Sequence, residues 1–279
     1  MAQARQPAQS APRKQGGGSE LLARVAVGLP ALAIAVALVA LGGITFAVAL
    51  ALLGAVCLYE LYQLYADAKP SLIAGVVALA GLLAAADFGT REQVLLVAVA
   101  AIPLTFLVTL LGSRGSTFGI ALTLLGVWWI GLGLAHGVLL RRLPHGSGVV
   151  IDVLAGTFVG DSVAYLGGRA FGRHALAPTI SPNKTVEGLV AGLVGAIVAV
   201  LIASHFQHWL DTRDALALGA GIAVAAPIGD LFESYVKRDA GTKDTGRLFG
   251  AHGGALDRLD AVLFTAVTGF YIWHALLVG

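Results

Sequence analysis

A succession of apolar segments of about 17–23 residues, carrying no charge or almost none, limits this chain more than any other feature. A hydrocarbon core of roughly 30 Å asks about that length of a helix rising 1.5 Å per residue. Residues 93–111 and 118–140 contain no Asp, Glu, Lys or Arg at all. In lipid the backbone must satisfy its own polar groups, which leaves helices or a closed barrel. A barrel strand alternates over about 10 residues, whereas these runs are continuous and rich in Leu, Ala, Val and Gly. The expected fold is therefore all-α, a polytopic membrane bundle. Composition agrees: 57% of residues are hydrophobic, 12% are charged and the mean hydropathy is +0.84, where a soluble domain has about a quarter charged.

Nine transmembrane helices are expected, over 24–41, 43–65, 71–88, 93–111, 118–140, 148–168, 186–204, 214–237 and 257–277. Residues 1–19, rich in Gln, Pro, Ala and Gly, read as a disordered tail with no apolar periodicity. The apolar run behind the tail is too long for a cleaved signal core and is followed by more spans, so no cleavage is expected. With the N-terminus cytosolic, only Arg91, Arg141, Arg142 and Arg213 of the 18 Lys and Arg fall outside. The remaining fourteen fall inside, as the positive-inside rule favours. The pair Arg141–Arg142 runs against that rule. Residues 20–147 read as N-terminal transmembrane helices, and 148–279 as a C-terminal region that carries the chemistry.

Net charge +2 and the lack of a basic patch interleaved with aromatics set nucleic-acid binding aside. The single cysteine, Cys57, excludes an internal disulfide and reads as a small buried hydrophobe. Tyr59, Tyr62 and Tyr65 at the inner interface, and Trp209 and Trp273 at the outer one, read as aromatic-belt anchors. Trp128 and Trp129 lie deeper and read as packing. Glu60 reads as a solvated carboxylate at a helix end. His136, His205, His208 and His274 show no ligand-like spacing.

Charge concentrates in two segments. The first runs from Gly160-Asp161 through Gly172-Arg173 to Ser181-Pro182-Asn183-Lys184-Thr185-Val186-Glu187-Gly188. An aspartate inside a span costs about 2.5–3.5 kcal/mol on insertion scales, so Asp161 should face the bundle interior or water. Thr185 and Glu187 fit a helix cap. The second segment carries Asp230, Glu233, Ser234 and Lys237 at i, i+3, i+4 and i+7, one face of a helix. Lys243, Asp244 and a glycine-flanked His252 turn follow, and Asp257 and Asp260 share the face of the next helix. Carboxylates so crowded repel unless cations intervene, and Asp, water and phosphate oxygens are what Mg²⁺ takes. The neighbouring Lys and Arg suit phosphate. Three of the five lysines, Lys184, Lys237 and Lys243, lie here, where compact point charges are wanted. The pattern points to metal-assisted phosphoryl or nucleotidyl transfer. A short echo, Gly160-Asp161-x₃-Ala164-Tyr165 against Gly229-Asp230-x₃-Ser234-Tyr235, suggests two helices lining one cavity.

The stretch Ser234-x₂-Lys237-Arg238-x₄-Lys243-Asp244-x₇-His252-Gly253-Gly254-x₂-Asp257-Arg258-x-Asp260 resembles the signature of the phosphatidate cytidylyltransferase (CDP-diacylglycerol synthase) family. Ser181-Pro182-x-Lys184-Thr185-x-Glu187-Gly188 resembles a second motif of that family, with Arg173 where a lysine is often found. The likeness covers roughly the C-terminal half. It implies transfer of CMP from CTP to phosphatidate at the cytosolic face of a cell membrane, giving CDP-diacylglycerol and pyrophosphate. It also implies Mg²⁺, with a second cation as an option, membrane lipid as surroundings and a homodimer as a possible assembly. Asp230 and Asp257 are the expected metal ligands, with Asp161 and Asp260 next. Lys184, Lys237, Arg238, Lys243 and Arg258 are expected on phosphates, and Ser181, Asn183, Ser234, Asp244 and His252 on substrate or its turns. A CTP-dependent lipid kinase, or a cytidylyltransferase for another lipid phosphate, is the nearest alternative. A transporter would place its charges near the bilayer midplane, whereas these gather toward one face.

Overall fold

The computed structural model describes residue 30 and residues 32–112, 115–246 and 253–278. The N-terminal tail, Arg114, Arg247 and His252 lie outside the described residues. Within them the order is α1 (Leu32–Leu41), α2 (Gly43–Leu64), α3 (Leu72–Phe88), α4 (Arg91–Leu111), α5 (Thr117–Arg142) and α6 (Gly146–Phe171). A hairpin of β1 (Ala175–Ala177) and β2 (Ser181–Thr185) follows, then α7 (Val186–His205), α8 (Thr212–Asp239) and α9 (Leu256–Val278). Seven of these helices are long and apolar enough to cross a membrane, while α1 and α3 are shorter. Eight of the nine expected spans fall on these helices. The first, 24–41, does so from residue 32 onward, with most of its earlier part outside the described residues. The chain is a multi-pass membrane protein. The hairpin is an addition to the all-α expectation. It pairs Ala175 with Thr185 and Ala177 with Ser181, where the sequence reads as a loop leading into a helix cap.

The centre of the bundle is α5, whose most apolar 18-residue stretch is 61% buried, whereas that of α4, at 22%, faces mostly away from the other helices. At the middle of α5 the turn Val127–Gly131 widens to π geometry. There Trp129 stands edge-on to Phe232 of α8, ring centroids 4.7 Å apart. Small residues bring α6 and α7 together: a Cβ on Gly192 would come within 2.7 Å of Ala164 Cβ, and one on Gly188 within 2.8 Å of the Ala164 carbonyl.

Arg141 and Arg142 have a local task at their end of the bundle. Arg141 donates to the Val39 and Ala40 carbonyls at 2.6 and 3.2 Å, and Arg142 to those of Ala86 and Gly89 at 2.6 and 3.1 Å. These carbonyls close α1 and α3, where acceptors lack helical donors and the dipole favours a cation.

The aromatic-belt expectation needs correction. Tyr59 is exposed, but Tyr62 is buried and donates to the Thr123 carbonyl at 2.8 Å. Tyr65 reaches the last turn of α8, donating to Val236 O at 3.0 Å and Asp239 Oδ2 at 2.9 Å. Trp273 is buried, donates to Pro144 O at 2.9 Å and meets Trp209 edge-on, while Trp209 stacks on His145. Apart from Tyr59, each ring has an internal partner that periodicity alone does not reveal.

Candidate active site

Five chain segments meet at one end of the bundle: the last turns of α2, α6 and α8, the hairpin leading into α7, and the first turn of α9. Thr185 caps α7, its hydroxyl accepting from Gly188 N at 3.1 Å. Glu187 folds back to take the Arg173 and His174 N–H groups at 3.0 and 3.3 Å. These bonds hold the hairpin, and with it Lys184, over the end of α6. The end of α8 is a Schellman motif: Thr242 N donates to Lys237 O at 2.9 Å and Gly241 N to Arg238 O at 3.0 Å, with Gly241 at φ 70°. Arg238 ties this turn to the hairpin through the Thr242 and Ile180 carbonyls, at 3.0 and 3.1 Å.

The predicted stripe on α8 is present. Lys237 lies 2.5 Å from Glu233 Oε2 and 2.8 Å from Asp257 Oδ1, and Asp230 pairs with Lys184. Gly229 lets α9 approach, since a Cβ there would come within 2.6 Å of the Asp260 carbonyl. As a result one carboxylate oxygen from each of Asp230, Glu233 and Asp260 lies within 4.8 Å of the others. Glu233 is 1% exposed, and its Oε1 has no hydrogen-bond partner among the described residues. A buried carboxylate oxygen without a donor is costly, and three converging hard oxygens suit a cation such as Mg²⁺.

A cavity of about 500 Å³ opens beside this cluster, lined among others by Asp161, Tyr165, Arg169, Ser181, Asn183, Lys184, Pro227 and Asp230. Asp161 and Asp230 thus face one space, as the internal echo suggests. Asp257 is placed differently from Asp230: its carboxylate takes Lys237 Nζ, Gly254 N at 2.6 Å and Thr245 N at 3.1 Å. Lys243, Asp244 and Arg258 are exposed at the rim of this end, and Ser234 is buried. His252 lies outside the described residues.

Three contributors escape the sequence reading. Glu233 stands on the predicted stripe but was not singled out as a ligand. Thr245 reads as an ordinary loop residue. Glu60 is corrected outright: far from solvated, it is 5% exposed and accepts from Ala255 N at 3.0 Å and Leu256 N at 2.9 Å. The available signal was its isolation, as the one acid in the otherwise uncharged α2.

Over residues 22–276 the chain matches the Cytidylyltransferase family. It belongs to that family. It is 36% identical over 144 residues to a phosphatidate cytidylyltransferase of Mycobacterium bovis, covering 52% of this chain and 47% of that one. To the phosphatidate cytidylyltransferase of Pseudomonas aeruginosa it is 39% identical over 153 residues, 54% and 55% of the two chains. A chloroplastic phosphatidate cytidylyltransferase of Arabidopsis thaliana is 35% identical over 144 residues, 50% of this chain and 37% of that one. The matched stretch spans about half the length, or less, of these relatives.

Proposed function

We propose that this chain transfers CMP from CTP to phosphatidate, giving CDP-diacylglycerol and pyrophosphate, with the reaction at the cytosolic face of a cell membrane. The observation that carries this reading is the convergence of Asp230, Glu233 and Asp260, with one buried oxygen unpartnered, beside a cavity that presents Lys184. Names of the relatives and the family match support the same class of reaction.

Asp230, Glu233 and Asp260 would hold Mg²⁺, which when bound screens phosphate charge and polarises the phosphorus. The protein's own groups position the reactants. A phosphate monoester is largely dianionic at neutral pH, so an oxygen of phosphatidate attacks the α-phosphorus without a protein base. The bond from that phosphorus to the bridging oxygen breaks, and pyrophosphate leaves. Lys184, on the cavity wall, takes a phosphate oxygen in exchange for part of its pairing with Asp230. Lys237, restrained between Glu233 and Asp257, offers a fixed positive charge at the inner end. Ser181 and Asn183 line the approach, and Lys243 and Arg258 stand at its rim. Catalysis is then orientation plus charge compensation. The catalytic region takes in residues 148–279 together with the end of α2.

Incubating purified protein in detergent with phosphatidate, Mg²⁺ and CTP labelled separately at its α- and γ-phosphates tests the reaction. Label from the α-phosphate in lipid, with release of pyrophosphate, is expected. Label from the γ-phosphate alone would make the chain a lipid kinase and overturn the proposal. The orientation is tested with Lys184→Cys and Lys243→Cys in a Cys57→Ser background. An impermeant maleimide should reach them only once the inner face is opened, and labelling from outside intact cells would refute the cytosolic placement.

A further inference from the structure

Glu60 belongs to the half of the chain outside the signature motifs, yet its carboxylate underlies the segment that carries them. Oε1 accepts from Ala255 N, and Oε2 from Leu256 N and from Thr245 Oγ1 at 3.4 Å. Ala255 and Leu256 begin α9, whose first N–H groups have no helical acceptors and carry the positive end of the dipole. For α7 and α8 the acceptor is local, supplied by Thr185 and Asp211 at the N-cap. At α9 the residue in that place, Ala255, has no polar side chain, and the acceptor comes from α2, 195 positions away.

The surrounding chain is shaped to this carboxylate. A Cβ on Gly246 or on Gly254 would overlap the Glu60 carboxylate, so glycine flanks it on both sides. Thr245 is held twice, its hydroxyl by Glu60 and its N–H by Asp257. Asp257 in turn holds Gly254 N and Lys237. Glu60 therefore ties the first turn of α9 to α2, and Tyr65 at the end of α2 is bonded to Val236 and Asp239 of α8, so α9 cannot slide or rotate against α8 without straining these bonds. Asp260 lies four residues beyond Leu256 on the same helical face, so any such movement shifts its carboxylate away from Asp230 and Glu233.

We propose that Glu60 is a positioning residue for this site: it fixes the first turn of α9, and through it Asp257 and Asp260, against α8. It touches neither substrate nor reacting atoms. The proposal rests on the reading of this end as the site of CMP transfer, and two separate readouts keep the two apart.

The test uses the full chain in detergent, with Glu60→Gln setting an amide N–H₂ against the N–H groups that now meet carboxylate oxygens. Gly246→Ala displaces Glu60 without removing it. Per folded molecule, both variants should lose at least about tenfold in kcat with little change in KM for phosphatidate, since misplacement near 1 Å costs up to about a hundredfold. Both should also weaken Mn²⁺ binding, followed by its paramagnetic resonance, at least about tenfold, within the range seen when a ligand's support is lost. Adding the shorter Glu60→Asp to Gly246→Ala should restore part of each loss. Tyr62→Phe removes a buried bond of α2 that does not reach α9, and should lower thermal stability while leaving kcat unchanged.

Wild-type kcat and Mn²⁺ affinity per folded molecule in Glu60→Gln and Gly246→Ala would overturn the proposal, whatever their effect on yield. If the wild type transfers no CMP but binds Mn²⁺ in a way that Glu60→Gln weakens, the reaction assignment fails and the positioning role stands.

Discussion

The two ends of the bundle face the same difficulty, charge beside a low-dielectric interior, and resolve it differently. At the end opposite the cavity, Arg141 and Arg142 are spent on the closing carbonyls of α1 and α3, and Arg91 donates to His274 at 2.7 Å. Gln207 Nε2 donates to the buried Asp152 Oδ1 there at 2.9 Å, while Asp152 Oδ2 stays without a partner among the described residues. At the cavity end, cations meet carboxylates instead, and after Lys184 and Lys237 are paired a buried oxygen of Glu233 still lacks a donor. Charge that closes helices braces a fold. Three carboxylates that converge beside a cavity are available to a ligand, as the lone Asp152 is not. One end therefore reads as a brace and the other as a site, although both are polar patches in an apolar chain.

Four substitutions sharpen or break this contrast. Asp230→Asn should have the largest effect, above about a hundredfold in turnover, because an amide lacks the charge to hold a divalent cation and about 3 kcal/mol of barrier is at stake. Its dependence on Mg²⁺ concentration should weaken in parallel. Lys237→Arg keeps the charge but replaces a point donor, fitted between Glu233 and Asp257, with a broad plane. A loss of about tenfold in turnover, roughly 1.4 kcal/mol, is expected at matched membrane abundance. Wild-type turnover would mean that this lysine only marks topology. Arg142→Ala should reverse the pattern, costing about 1–3 kcal/mol of stability in detergent melting through two carbonyls left without a donor, with turnover per folded molecule unchanged. Asp152→Asn, which keeps an acceptor toward Gln207, should have the smallest effect, with turnover and melting both close to wild type. A large loss of turnover in Arg142→Ala or Asp152→Asn would erase the distinction between the ends.

The bundle was legible in the sequence because lipid imposes it: each apolar run must become a helix whatever packs beside it. The stripe Asp230, Glu233, Lys237 was legible for the same reason, since helical spacing alone puts these residues on one face. What periodicity does not carry is a partner on another helix. Glu60 looked like an interfacial acid because its acceptors' donors, Ala255 N and Leu256 N, are backbone groups with no signature of their own. Trp273 and Tyr65 looked like belt anchors until Pro144 and Asp239 were placed beside them. Asp257 and Asp260 share a helix face, yet one is filled by donors and the other turns toward Asp230 and Glu233. That division depends on the turn at Gly253 and Gly254, not on spacing.

Glu233 offers the most direct test of the contrast, because its unpartnered oxygen belongs to a converging set of three carboxylates, whereas that of Asp152 does not. Mn²⁺ would be titrated by paramagnetic resonance into the purified full chain, into Glu233→Gln and into Asp152→Asn. Binding by the wild type and by Asp152→Asn alike, with affinity at least about tenfold weaker in Glu233→Gln, is the expected result. Equal affinity in the wild type and Glu233→Gln, or no binding by the wild type, would contradict the assignment of Asp230, Glu233 and Asp260 as the cation site.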